Sequence, residues 1–180
     1  AGTGDGVNTM RLLSLDLGHN VGYAIWRVEL DKPLLPGWLY NLEENLIQYV
    51  ESGALTMKKR DSLGDEYCEF YEQIHEIVNE NDIDMVTYEC IEFIKYVYAA
   101  QVQFGFEAIV SLLASRYGIG VVPQGVTKIK KFICGDGRAS KQMVVDRALE
   151  ILYENTIVKI SITDHEADAI ACGLLTIQEL

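Results

Sequence analysis

Three carboxylates stand where a carboxylate is expensive. Asp16 ends the apolar run LLSLD, Glu89 follows the apolar run MVTY, and Asp168 lies inside the apolar terminal stretch ADAIACGLL. A buried carboxylate needs its charge matched. Three of them brought together form an oxygen ligand set suited to Mg2+ or Mn2+. Two such ions, ~3.5–4 Å apart, stabilise the attacking and leaving oxygens of a phosphodiester, so the chemistry implied is metal-assisted phosphodiester hydrolysis. The segment Asp164-His165-Glu166-Ala167-Asp168 adds a fourth group. On a helix the position three before Asp168 shares its face, which selects His165 to take a proton from water or to ligate a metal. Asp164, four before, is the reserve. Asp164 has a second reading as a helix cap, and Glu166 one as a solvent-facing charge. Any one of these acids alone reads as a cap, a turn residue or a solvated charge; their joint occurrence carries the argument. His19, in a turn, and His75, on an amphipathic stretch, receive no role.

The pattern around these residues predicts the elements that position them. Residues 11–16 and 21–29 are β-rich runs joined by LGHN, whose Gly18 and Asn20 suit a tight hairpin. Residues 31–48 hold Pro33, Pro36 and Gly37 without a sustained period and read as an elaborated loop before a third strand at 49–57. Tyr67, Phe70, Ile74, Ile77 and Val78 recur at helical spacing and predict a helix over 63–79. Residues 84–90 read as a buried strand, 99–117 as a long apolar helix stopped by Gly118, and GVVP as a short strand. Helices are expected over 126–132, over 141–154 with Ser140 as N-cap, and over 164–177. Three early strands followed by alternating helix and strand make an α/β protein with a mixed sheet. Adjacent parallel strands then bring two acidic ends together, and a helix packed across them delivers the third. In the helix at 99–117, Phe104, Phe106, Ile109, Val110, Leu112 and Leu113 exceed what one buried face needs, which makes this helix a candidate interface.

At 180 residues the chain has the size of one domain, and 49% apolar with 23% charged residues is the balance of a globular protein. No membrane span is expected, because no apolar run approaches the roughly 18–20 residues needed. Four scattered cysteines, Cys68, Cys90, Cys134 and Cys172, with no CxxC pair, read as reduced thiols of a cytoplasmic protein, bacterial or in a phage-infected host. Residues 1–9, AGTGDGVNT, read as a remnant of recombinant expression, with a single domain over 10–180. The net charge of −12 argues against nucleic acid as a partner. Its distribution argues the other way: cations gather at Lys128, Lys130, Lys131, Arg138, Lys141 and Arg147, and again at Lys58, Lys59 and Arg60.

The segments LSLDLGHNVGYAI, VTYE, GDGRASKQMVV and DHEADAIA occur in the order and spacing of the RuvC family of Holliday junction resolvases, which the chain resembles from Met10 onward. A lone DxG turn is shared with sugar kinases and actin-like ATPases; G-x-G-x-A-x-K followed by H-x-x-D is far more specific. The resemblance implies an RNase H-like fold, a mixed five-stranded sheet flanked by helices. It also implies a homodimer that makes paired nicks in a four-way DNA junction with Mg2+ or Mn2+, two ions per site. Asp16, Glu89 and Asp168 match the family's catalytic and metal-holding acids, and His165 falls where members carry aspartate or histidine. Lys130 and Lys141 match lysines that hold phosphates, with Lys128 and Arg138 beside them. The family places an aromatic near the catalytic glutamate to disturb base stacking. Here the third residue after Glu89 is Glu92, so Phe93, Tyr96 or Tyr98 would take that part. That departure points to a broader branched-DNA specificity, as in phage-encoded relatives. Two alternatives remain: an actin-like ATPase or sugar kinase, which would need a second lobe that 180 residues do not supply, and an RNase H-like nuclease for hybrids or flaps.

Overall fold

Strand β1 (Thr9–Asp16) sends alternate side chains into two different cores. Leu12 and Ser14 face one way with Asp16; Leu13 and Leu15 face the other, as the period of two along a strand requires. The computed structural model describes residues 8–32, 46–57, 62–91, 94–154 and 161–180. Within them follow β2 (Asn20–Glu29), β3 (Ile47–Thr56), α1 (Leu63–Glu80), β4 (Met85–Cys90), α2 (Val97–Tyr117), β5 (Gly120–Gly125), α3 (Val126–Cys134), α4 (Lys141–Glu154) and α5 (Asp164–Gln178). Every element expected from the sequence is present, with ends displaced by at most a few residues. Strand β1 opens at Thr9, inside the segment read as an expression remnant. Most of the loop expected at 31–48, the cluster Lys58, Lys59 and Arg60, and Phe93 lie outside the described residues.

The sheet has the order β3-β2-β1-β4-β5. The first three strands in sequence pair antiparallel, and β4 and β5 join in parallel, so the sheet is mixed. Among the described residues the left-handed φ values fall at Asp82, Gly118 and Gly135, so the β1–β2 connection uses no such residue at Gly18 or Asn20. Gly118 and Gly135 end α2 and α3 as left-handed C-caps. Helices α1 and α2 cover one face of the sheet, where Phe70 and Phe106 stack at 3.9 Å between ring centroids. Helices α3, α4 and α5 cover the other.

Helix α5 is the element that matters for the site. It is apolar almost all round, buried from Glu166 to Ile177, and therefore lies inside the fold with no solvent face. Two glycines let it sit that close. A Cβ on Gly173 would come 2.3 Å from Trp26 Nε1 and 2.7 Å from Ser14 Oγ. One on Gly22 would come 1.9 Å from the backbone oxygen of His165. Polar atoms trapped in this layer are paired: Trp26 Nε1 donates to Ser14 Oγ at 3.3 Å, and Thr87 Oγ1 meets Thr176 Oγ1 at 2.8 Å.

Helix α2 departs from the expectation that no segment is long and apolar enough to cross a membrane. Its 21 residues meet that test by length and composition, and part of the helix is buried within the fold. Of the six residues expected to form an interface, Phe106, Val110 and Leu113 are core and Ile109 is half-buried, whereas Phe104 and Leu112 are 56% and 68% exposed.

Candidate active site

The parallel pairing of β1 with β4 sets Asp16 directly opposite Glu89. Both lie on the face that α5 covers, and α5 brings Asp168 to them. Carboxylate oxygens of the three residues lie within 4.8 Å of one another, and each residue is only 8% exposed. The expectation that two strand ends and one helix converge is met in these positions.

The first turn of α5 is fixed by a capping box. Thr163 Oγ1 accepts from the Glu166 backbone N–H at 3.1 Å, and Glu166 Oε2 accepts from the Thr163 backbone N–H at 2.9 Å. Ser52 Oγ of β3 donates to the other Glu166 oxygen at 3.1 Å. Thr163 is therefore the cap and Glu166 is buried, which corrects the readings of Asp164 as cap and Glu166 as a solvated charge. The turn so held points His165 inward: its Nδ1 lies 2.7 Å from Asp16 Oδ2. Asp164 turns toward Lys141, whose Nζ donates to Asp164 Oδ2 at 2.8 Å.

Packing three acids this tightly shows in their protonation. Burial pushes the Glu89 carboxyl up to about 8, and the charges of Asp16 and Asp168 push the same way against Lys130 and Lys141. Asp168 rises to about 6, first through burial and then through Asp16. Asp16 is raised by burial, with the His165 hydrogen bond opposing. The His165 imidazole is raised by its hydrogen bond to Asp16 against the cost of burial. The lysines nearby leave the cluster short of positive charge.

Asp16, Glu89, Asp168, His165, Lys130 and Lys141 all face one cavity of about 340 Å3, walled on its apolar side by Leu17, Ile91 and Val126. Two residues expected beside them lie elsewhere. Lys128 pairs with Glu179 at 2.6 Å and Arg138 is exposed in the α3–α4 turn, and neither lines the cavity. Tyr96 is the 67% exposed N-cap of α2, with Lys95 Nζ 5.5 Å from its ring centre.

Sequence reasoning missed Gln103, a buried residue of α2 whose Nε2 donates to the Glu89 backbone oxygen at 3.3 Å and to Glu107 Oε1 at 3.0 Å. It missed Gly22 as the gap that admits His165. It also missed the Thr163 cap, although Thr-x-x-Glu ahead of an apolar run was there to be read.

Residues 40–175 match the family model described as crossover junction endodeoxyribonuclease RuvC, a span that holds Glu89, His165 and Asp168. The chain is similar to the RuvC of Finegoldia magna, 27% identical over 166 residues that make up 92% of this chain and 91% of the relative. It is similar also to the RuvC of Prochlorococcus marinus, 25% identical over 171 residues, 94% of this chain and 98% of the relative. Among solved structures it resembles Thermus thermophilus RuvC in complex with a Holliday junction substrate, with a TM-score of 0.74 at 18% identity over 94% of each chain. That likeness establishes the RNase H-like fold. With the family model matched over most of the chain, and relatives aligned over nine-tenths of it or more, this protein belongs to the RuvC family.

Proposed function

We propose that the protein is a divalent-metal-dependent endonuclease that nicks four-way DNA junctions and other branched DNA by phosphodiester hydrolysis, as a homodimer serving recombination, repair or branch removal. The cluster Asp16, Glu89 and Asp168 carries the reading: three buried carboxylates with oxygens within 4.8 Å and too little positive charge around them. Hard oxygen donors short of cations fit Mg2+ or Mn2+, two per site, with these three residues as ligands. Such ions, when bound, stabilise the charge that develops on the attacking and leaving oxygens.

The protein's own groups divide the remaining work. With Nδ1 committed to Asp16, His165 has Nε2 left to take the proton of an attacking water. Lys130 and Lys141, on the wall of the same cavity, hold the scissile phosphate and its neighbour. Leu17, Ile91 and Val126 keep bulk water from one side, which strengthens every charge interaction inside. Phe104 and Leu112, exposed on α2, are the surface for a second copy. The compartment is the cytoplasm, which four cysteines outside any disulfide fit.

The test is a cleavage panel of synthetic four-way junction, fork, flap, RNA–DNA hybrid and linear duplex with Mg2+ or Mn2+. The junction is cut in preference to duplex, and Asp16→Asn binds the junction without cutting it. Equal cutting of linear duplex, or full activity in Asp16→Asn, overturns the reading.

A further inference from the structure

Apolar contact is non-directional, so burial alone holds the apolar helix α5 inside the fold without fixing how far along the sheet it sits. The close fits at Gly22 and Gly173 hold it against β1 and β2. Against β4 and β5, the side that carries Glu89, the contact includes a seam of buried polar side chains. Thr87 lies two residues before Glu89 on β4 and shares its face. On α5, four-residue steps from Asp168 through Cys172 to Thr176 follow one face. Gln124 of β5 sits directly beside Glu89 in the parallel ladder. Thr87, Gln124 and Thr176 are all buried.

The hydrogen bonds of the seam run one way. The single hydroxyl proton of Thr87 goes to the Val122 backbone oxygen at 2.7 Å, so Thr176 is the donor in the 2.8 Å bond between the two threonines. Gln124 Nε2 in turn donates to Thr176 Oγ1 at 3.2 Å and to Glu179 Oε2 at 2.9 Å, and its Oε1 accepts from Lys128 Nζ at 3.4 Å. The exposed Lys128–Glu179 pair closes the outer end. Each such bond adds only ~1 kcal/mol net, so an apolar layer would hold α5 about as firmly. What directed bonds add is register: a slide of α5 along β4 breaks them together.

Asp168 rides on α5 and Glu89 on β4, so the register of one element on the other sets the gap between the two carboxylates. Mg2+ tolerates little error there. It takes a near-ideal octahedron at ~2.0–2.1 Å, whereas Ca2+ takes about six to eight oxygens at ~2.3–2.6 Å in looser geometry. Resting on the nuclease reading above, we infer that Thr87, Thr176 and Gln124 are positioning residues of the acidic site: as a register lock between α5 and β4 they set the Glu89–Asp168 gap and favour Mg2+ over larger cations.

The test is Thr87→Val with Thr176→Val, which replaces both hydroxyls by methyls of the same shape, beside Thr176→Ser, which keeps the hydroxyl. Mg2+ and Ca2+ are titrated calorimetrically into the DNA-free protein. In the double variant the Kd for Mg2+ rises roughly tenfold to a hundredfold, the usual cost of losing an outer support of a metal ligand. The Kd for Ca2+ stays within about threefold, and Thr176→Ser behaves as the wild type. A merely structural role would lower Tm and leave the ratio of the two affinities alone. Gln124→Met breaks the seam nearer the surface, where Lys128 and Glu179 reach water, and is read in the same way if the double variant does not fold. An unchanged Mg2+ Kd in the folded variant, or an equal loss of both ions, overturns the inference while leaving the nuclease reading standing. If the wild type takes up neither ion and cuts no branched DNA, the nuclease reading fails and the inference with it.

Discussion

Replacing Glu89 by glutamine should stabilise the metal-free protein while ending its ability to cut. The Glu89 carboxyl, 8% exposed, is raised from its ordinary 4.5 to about 8 by burial and by the charges of Asp16 and Asp168. A carboxyl raised in this way keeps its proton in the folded state while the unfolded chain has lost it. Between pH 4.5 and about 8 the folded state therefore loses stability as pH rises, and above about 8 the loss is complete. At ~1.4 kcal/mol per pH unit the full interval sets a ceiling of about 5 kcal/mol. Part of that belongs to Asp16 and Asp168, which share the repulsion, so removing the Glu89 charge alone should recover about 2–3 kcal/mol at pH 8. For a chain of this size that is a rise of roughly 5–10 °C in Tm. Thermal melts in EDTA from pH 5 to 9 should show the wild type falling with pH and Glu89→Gln lying flatter and higher. Added Mg2+ should raise the wild type much more than the variant. A Glu89→Gln protein that melts below the wild type at pH 8 in EDTA would refute the electrostatic account of the cluster.

Three further outcomes follow from the packing. Gly22→Ala puts a methyl 1.9 Å from the His165 backbone oxygen, so α5 must shift; a loss of at least ~1–3 kcal/mol in chemical denaturation should accompany lost cutting with junction binding retained. Thr163→Ala removes the cap of α5 and should cost about 1 kcal/mol, read by urea melts, and should lower cutting because the first turn carries His165. Phe104→Glu with Leu112→Glu places two charges on the exposed stripe of α2 and should turn a dimer into a monomer in analytical ultracentrifugation without a change in fold by circular dichroism; a wild type that is already monomeric at micromolar concentration refutes the interface.

The elements were legible because their patterns were clean: near-continuous apolar, β-rich runs at LLSLD and MVTYE, and helical spacing from Tyr67 to Val78. The convergence of Asp16 with Glu89 was legible for the same reason, since each ends an apolar strand and parallel neighbours align their ends. The choice of His165 over Asp164 was only half legible. Helical spacing puts both near Asp168, and what separates them is the missing side chain at Gly22, which lets the first turn of α5 settle over β2 with His165 against Asp16. Nothing local in the sequence reveals which residue packs against a glycine. Lys128 lies off the cavity for a related reason. It reads as one of a basic run, yet its partner is Glu179, at the far end of the chain, brought close only by the fold.

The net charge of −12 is the feature that most opposed a DNA partner, and the structure shows why it decides little at the site. Charges further than ~8–10 Å from a phosphate are largely screened at physiological salt, so the groups lining the cavity set its approach. Those groups are three acids, one histidine and two lysines, with Asp164 paired to Lys141 beside them. With Glu89 raised to about 8 and Asp168 to about 6, the cluster is not a block of three full negative charges at neutral pH without metal. Any cation it takes up replaces protons, so the local charge can only become more favourable to phosphate as the site fills. The surplus acidity elsewhere then works against sequence-independent attachment to duplex. A protein of this charge depends on the shape of the branch to bind, and its affinity should fall steeply with salt wherever that shape is missing.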